Sequence, residues 1–295
     1  MCGWMFTRKH LVAIFFMLSL TVATIFVYSL FAVEMEGDML ATSKVMRGIG
    51  EVERLKLVVL VDNSADPSGR CLSAWGLSIY VEADGRRILF DTGPSPRILR
   101  HNAEALGINI SEIDAVVISH AHGDHIGGLD LILRLNPNVT VYVPEHSGLD
   151  RHLSKPGFVK ISGTTVIFPG VAVIGELYGP PYEQALAINV RGRGLVVLVG
   201  CSHPGVDNIV RKAIADLGLP VYAVVGGFHL WGASEARVQA IADSLAGELG
   251  VRRISPLHCS GAAITEALKM RYPERYLGLR LGSTFVLTAL GEEVR

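Results

Sequence analysis

The sequence predicts a mixed α/β (α+β) protein in which two β-sheets pack together and helices lie outside them. Three observations predict it. From Leu55 onward short β-rich apolar runs alternate with helical segments, Ala83-Asp84-Gly85 reads as a hairpin turn, and metal-ligand side chains recur where apolar runs end. No linker, short repeat or low-complexity stretch interrupts residues 55–295, so one domain is expected there.

The expected strands are Leu57–Val61, Leu77–Glu82, Arg87–Phe90, Ala115–Ser119, Val139–Val143, Val166–Ile174, Leu186–Val190, Leu195–Val199, Val221–Val225 and Arg253–Leu257. The expected helices are Pro96–Leu106, Gly128–Leu135, Val206–Leu217, Ser234–Leu249 and Ala262–Met270. In the fourth, Val238, Ile241, Ala242, Leu245 and Leu249 recur at helical spacing and make one buried face.

Residues 120–125 read His-Ala-His-Gly-Asp-His directly after the run Ala115–Ser119. Three imidazoles and a carboxylate cost several kcal/mol to bury without partners, and a divalent cation satisfies them all. His120 and His122, two apart, can grip one ion, while Asp124 and His125 turn toward a second. Two ions about 3.5–4 Å apart suit displacement at phosphorus or carbonyl centres.

Further ligands must come from distant strand ends. His203 follows Leu195–Val199, His258 follows Arg253–Leu257, and His229 follows Val221–Val225. His203 and His258 are read as ligands, and His229 as either a ligand or a substrate contact. Asp91 closes the run Leu89-Phe90 and is expected to orient the ligating histidines. His101, His146 and His152 lack such placement and read as surface residues.

The formal net charge of −1 and the absence of a Lys/Arg-rich run in the domain give no support for nucleic-acid binding. Four cysteines, Cys2, Cys71, Cys201 and Cys259, form no evident disulfide framework. Cys201 and Cys259 each lie within two residues of an expected ligand and read as shaping the metal site.

Residues 1–10 form a basic flank ahead of the uncharged stretch Leu11–Val33. As a helix that stretch would be ~34 Å long, enough to cross a ~30 Å hydrocarbon core. It reads as a signal anchor with the N-terminus in the cytoplasm and the domain outside, residues 34–54 being a linker. A cleaved signal is the alternative, and a start at Met35, Met39 or Met46 would give a cytoplasmic enzyme.

Taken together, His120, His122, Asp124, His125 and Asp91 resemble the metallo-β-lactamase superfamily. Over about residues 55–290 the resemblance implies a four-layer αββα sandwich with two divalent ions, zinc first, with iron, manganese or magnesium as the other options. The implied metal ligands are His120, His122, Asp124, His125, His203 and His258, with Asp91 and Cys201 supporting them and Asp124 and His229 acting on the substrate.

A narrower likeness lies in Gly200–Gly205, Gly226–Leu230 and Leu257–Gly261, together with Gly76-Leu77-Ser78 and Asn102. These resemble the branch of archaeal dihydropterin–ribofuranosylaminobenzene phosphate synthases of the methanopterin pathway. The branch implies a transferase in which an arylamine or its ring attacks a pterin-methyl carbon and diphosphate leaves. Two departures stand out: Cys201 occupies the place of a bridging aspartate in many superfamily hydrolases, and Trp75 stands where this branch is expected to carry histidine. The alternatives are a dinuclear hydrolase of a small phosphoester, lactone or thioester, and a non-catalytic, membrane-tethered metal- or ligand-binding domain.

Overall fold

The computed structural model describes residues 48–149 and 157–295. Its first strand, β1 (Arg54–Val61), is apolar nearly throughout because both of its faces are covered. β2 (Ser78–Ala83) and β3 (Arg86–Phe90) form the expected hairpin, turning at Asp84 and Gly85 with positive φ at both. The helix Pro96–Ala105 follows, opened by the Ser95 side chain, which accepts from the Ile98 N–H, and by Pro96 in the first turn.

β4 (Ala115–Val117) is shorter than expected, and the His-rich segment leaves it as a loop entering the short helix Gly123–Ile126. The helix Leu129–Leu135, β5 (Thr140–Pro144) and β6 (Phe158–Ile161) come next. Strands β3 to β6 run parallel to one another.

The strand expected over Val166–Ile174 is instead two strands, β7 (Thr165–Phe168) and β8 (Val171–Tyr178). Pro169 cannot donate to a ladder, and Gly170 takes φ +77, so the chain reverses there. β9 (Tyr182–Val190), β10 (Gly194–Val199), the helix Val206–Leu217 and β11 (Val221–Gly227) follow. The helix expected over Ser234–Leu249 is α-helical at Glu235–Asp243 and widens to a π turn at Ser244–Glu248. β12 (Arg253–Leu257), the helix Ala262–Arg271, β13 (Thr284–Thr288) and β14 (Glu292–Val294) complete the chain.

The strands make an eight-stranded sheet, β14-β13-β1-β2-β3-β4-β5-β6, and a six-stranded sheet, β12-β11-β10-β9-β8-β7. Alternation along each strand divides its side chains between layers. Leu57 and Val59 of β1 join Leu186, Ile188, Val196, Leu198 and Phe285 in the core between the sheets. Val58 and Leu60 face the other way, toward Leu99 and Ile132 of the outer helices. On the second sheet, Leu195, Val197 and Val199 pack against Ile209, Val238 and Ile264 of its own helices. The result is the helix–sheet–sheet–helix layering expected.

The transmembrane helix expected over residues 11–33 lies outside the described residues, and no helix among the described residues is long and apolar enough to cross a membrane. The 12-residue helix Val206–Leu217 spans only ~18 Å, against ~30 Å of hydrocarbon. The structure therefore lends no support to an anchor, to a membrane as partner, or to the outward-facing localisation, and that expectation is withdrawn.

Candidate metal centre

The ends of β3 and β4 in one sheet meet the ends of β10, β11 and β12 in the other. Asp91 follows β3, the segment 120–125 follows β4, and His203, His229 and His258 follow the three strands of the second sheet. Of five non-glycine residues with positive φ among the described residues, Asp91, Ser202, His229 and His258 stand at this edge. Left-handed backbone costs such residues roughly 1–2 kcal/mol each, so its concentration here marks a place where side-chain direction outweighs strain.

Asp91 is fully buried and collects three donors: the Ser119 N–H and hydroxyl, each at 2.7 Å, and His125 Nδ1 at 2.6 Å. Because the Ser119 hydroxyl donates to Asp91, its lone pair is left to accept from His120 Nδ1 at 2.9 Å. Burial pushes Asp91 up to about 7 and pulls His120 and His125 down to about 3 and about 4. Both imidazoles are therefore neutral at pH 7, with Nδ1 engaged by Ser119 or Asp91 and Nε2 turned toward the other donors of the centre.

His203 and His258 are fixed in the same way by residues the sequence reading missed. Glu183 Oε2 accepts from His203 N and Nδ1, both at 2.9 Å, while Oε1 accepts from the Cys201 and Ser202 N–H groups at 2.9 and 2.7 Å. Burial opposes charge on Glu183, yet the His203 ring, His120 and these N–H groups hold it down at about 2. The Asn63 amide donates to the His258 carbonyl at 2.9 Å, which turns its oxygen to accept from His258 Nδ1 at 3.0 Å. Asp62 accepts from the His258 N–H at 2.6 Å.

The signal for these residues was present in outline. Glu183-Gln184 is a polar pair inside an apolar strand, and buried polar groups demand partners. Gln184 also ties the two sheets together: its N–H donates to the Ser119 carbonyl at 2.9 Å, and its side chain donates to Ile118 at 2.8 Å.

The donors fall into neighbouring groups whose ligand atoms lie within 4.8 Å of one another: His120, His122 and His203; His120, His125 and Cys201; Asp124, His125 and His258; and Cys201, His229 and Cys259. His120 Nε2 and His122 Nδ1 are 3.1 Å apart, near the ~3.3 Å edge of a tetrahedron with ~2.0–2.1 Å bonds to nitrogen. His258 Nε2 is buried with no hydrogen-bond partner and faces Asp124 Oδ2 at 3.3 Å. With its proton on Nδ1, this nitrogen and the carboxylate are two acceptors face to face, a pairing that a cation between them would satisfy. The residues present fit divalent ions.

Cys201 Sγ stands 3.2 Å from His125 Nε2, so a thiol occupies the space between the groups. Its hydrogen bond with Cys259, together with burial, pushes the Cys201 thiol up. His229 is exposed at the lip, its ring centroid 4.5 Å from that of His203. His101 and His146 are exposed, the latter paired with Glu176, and His152 lies outside the described residues. A cavity of about 890 Å³ opens near the start of β11 and β12, lined in part by Arg193, Arg252, Arg253 and Arg275. None of the donors lines it, and donor chemistry rather than size identifies the centre.

Residues 76–213 match the metallo-beta-lactamase superfamily model. The 7,8-dihydropterin-6-methyl-4-(beta-D-ribofuranosyl)-aminobenzene-5'-phosphate synthase of Methanocaldococcus jannaschii is 28% identical over 289 residues, covering 80% of this chain and 98% of that protein. The solved structure of Tm1679, described as a metal-dependent hydrolase of the beta-lactamase superfamily, superposes with a TM-score of 0.68 at 27% identity, covering 79% of this chain and 99% of its own. The Bacillus subtilis metallo-beta-lactamase fold protein YhfI shares the fold at a TM-score of 0.57 and 12% identity, covering 80% of this chain and all of its own. The sandwich, the His-x-His-x-Asp-His segment and this match agree on a metallo-beta-lactamase domain that includes residues 76–213.

Proposed function

We propose that the chain is a dinuclear metal-dependent transferase of the pterin-methyl diphosphate class, with zinc as the first choice of ion. The observation that carries the metal reading is the orphaned, buried His258 Nε2 opposite Asp124, beside a second complete set in His120, His122 and His203. The relative in M. jannaschii, matched over nearly its full length, supports the transferase class. Ions held by these residues would supply Lewis-acid polarisation and charge neutralisation at diphosphate oxygens.

The chain's own groups do the rest. Asp91, Ser119, Glu183 and Asn63 hold four imidazoles in one tautomer, so nothing has to reorganise when an anion arrives. In the proposed step an aryl nucleophile forms a bond to the pterin-methyl carbon as the carbon–oxygen bond breaks. The electron pair leaves with diphosphate, and the proton released from the attacking atom of the arylamine or its ring passes to His229 at the lip. Asp124, 3.3 Å from His258 Nε2, would share with that imidazole the ion that takes the leaving diphosphate.

A hydrolase of phosphoesters, lactones or thioesters is the second reading, favoured by the likeness to Tm1679. It differs in taking water as nucleophile. The test incubates the metal-loaded full chain with a dihydropterin-methyl diphosphate, with and without a ribofuranosylaminobenzene phosphate acceptor. Diphosphate release that requires the acceptor is the expected result. Release in water alone overturns the transferase in favour of the hydrolase. Fewer than one retained ion per chain after dialysis would instead favour a binding domain without turnover.

A further inference from the structure

Three aromatic rings climb out of the metal centre. His258 is buried, the Trp75 ring lies against it at 4.9 Å between centroids, and Trp231 lies 5.7 Å beyond Trp75, each pair inclined at 62°. Exposure rises along this ladder from 6% at His258 to 49% at Trp75 and 75% at Trp231. Trp75 has an evident structural role in shielding His258 from water. That role does not account for Trp231, a large ring left three-quarters open to solvent.

Neither tryptophan rests on a free-standing loop. Gly76, next to Trp75, lies so close to the Asp124 turn that a Cβ there would meet Asp124 O at 2.5 Å, and Leu77 N–H donates to the same carbonyl at 3.3 Å. Ala74 N–H donates to the Asp62 carbonyl, and Asp62 in turn holds the His258 N–H. On the other side Trp231 N–H donates to Cys259 O at 3.1 Å, and a Cβ on Gly261 would touch Trp231 Cα at 3.1 Å. Both backbones are thus clamped to the loops that carry Asp124 and His258. Exposed aromatic surface, rigidly placed and continuous with a polar centre, is the composition of a ligand site with an apolar wall and a few fixed polar groups.

We infer that Trp75 and Trp231 form a stacking platform that selects substrates carrying a flat aromatic ring next to the oxyanion that the metal centre takes. The inference rests on the reading that Asp124, His125 and His258 hold a cation. It is indifferent to whether the nucleophile is water or an aryl group, because the platform acts on the part of the substrate that does not react. Each aromatic contact contributes about 2–10-fold in affinity, so the pair together discriminates by about 4–100-fold.

The test uses the zinc-loaded full chain and three probes that share one oxyanion: methylphosphonate, phenylphosphonate and 1-naphthylphosphonate, with affinities measured by titration calorimetry. Naphthylphosphonate is expected to bind about 4–100-fold more tightly than methylphosphonate and to quench tryptophan fluorescence. Trp231→Ala should collapse most of that ratio while changing methylphosphonate affinity less than 2-fold, and Trp231→Phe should restore part of it. Trp231 is the primary variant because its exposed ring leaves the fold unloaded, and Trp75→Ala provides the second. A wild-type ratio near one, or a ratio that survives both alanine variants, overturns the platform alone. Failure of all three phosphonates to bind overturns the metal-site reading and the platform with it.

Discussion

Glu183 Oε2 accepts both the backbone N–H and the ring Nδ1 of His203 at 2.9 Å, from a position buried inside β9 of the adjacent sheet strand. One carboxylate therefore sets both the loop conformation after β10 and the tautomer of an expected ligand. A Glu183→Gln replacement would turn an amide donor toward N–H donors. Each buried group left unsatisfied costs about 1–3 kcal/mol, so the loss in stability should be about 2–4 kcal/mol. Affinity for the ion held through His203 should fall about 10–100-fold. Urea denaturation and chelator competition measure the two effects, and wild-type values in both would remove Glu183 from the centre.

Asp91 does for His125 what Glu183 does for His203, and it also holds the Ser119 hydroxyl that carries His120. Asp91→Asn keeps the volume but cannot accept from three donors with both oxygens. Metal retention in the Asp124, His125 and His258 group should drop about 10–100-fold, more than retention at the group holding His122. Cobalt titration, following the ligand-field bands of the two groups, separates them. Uniform loss across both would argue for global disruption instead.

The strand ends were legible because a polar residue that closes an apolar run has few structural explanations, and Asp91, His120, His203, His229 and His258 all have that form. Hydrogen-bond partners were not legible. Asn63 and His258 are 195 positions apart, and Gln184 reaches Ile118 across the gap between sheets, so each depends on sheet stacking that no local pattern encodes. β13 and β14 escaped for a related reason. β13 pairs with β1 across more than 200 residues and alternates buried with half-buried positions, which gives a weak apolar signal. Pro169-Gly170 carries a turn signal inside the expected strand Val166–Ile174, but apolar residues on either side mask it.

Acid should destabilise the metal-free protein, and the sign follows from the buried groups. Burial holds His120 and His125 at about 3 and about 4 in the folded protein, below the ordinary imidazole value of 6.5, so between these limits the unfolded chain binds two more protons. Asp91 opposes them: raised from 3.8 to about 7, it keeps a proton in the folded state that the unfolded chain releases. From pH 6.5 down to pH 4 these three groups give a net uptake on unfolding of about one proton, or about 1.4 kcal/mol of lost stability per pH unit, and His122, also held down by burial, adds in the same direction. Below pH 4.5 Glu183, held at about 2, adds to the slope. Denaturation midpoints of chelator-treated protein at pH 7, 5.5 and 4.5 test this, and a flat profile would contradict the buried neutral imidazoles.

The placement of the His-rich segment against β3 depends on a glycine with ordinary backbone angles. Gly127 has φ −61 and ψ −27, which any residue adopts, yet a Cβ there would lie 2.1 Å from the Pro94 carbonyl oxygen. That contact is with backbone, and the same loop is pinned by Thr92, whose N–H and hydroxyl both donate to the His125 carbonyl at 2.7 and 3.0 Å. Gly127→Ala must push the two segments apart, at a cost of about 1–3 kcal/mol, and the movement draws His125 away from Asp91. Gly123, the first residue of the short helix that Gly127 follows, has nothing within 4 Å of its Cβ position. Gly123→Ala should therefore be neutral or stabilising by up to about 1 kcal/mol. Denaturation and metal retention measured on both variants give the comparison. Equal behaviour of the two would show that close approach to Pro94 is not what seats Asp124 and His125 at the centre.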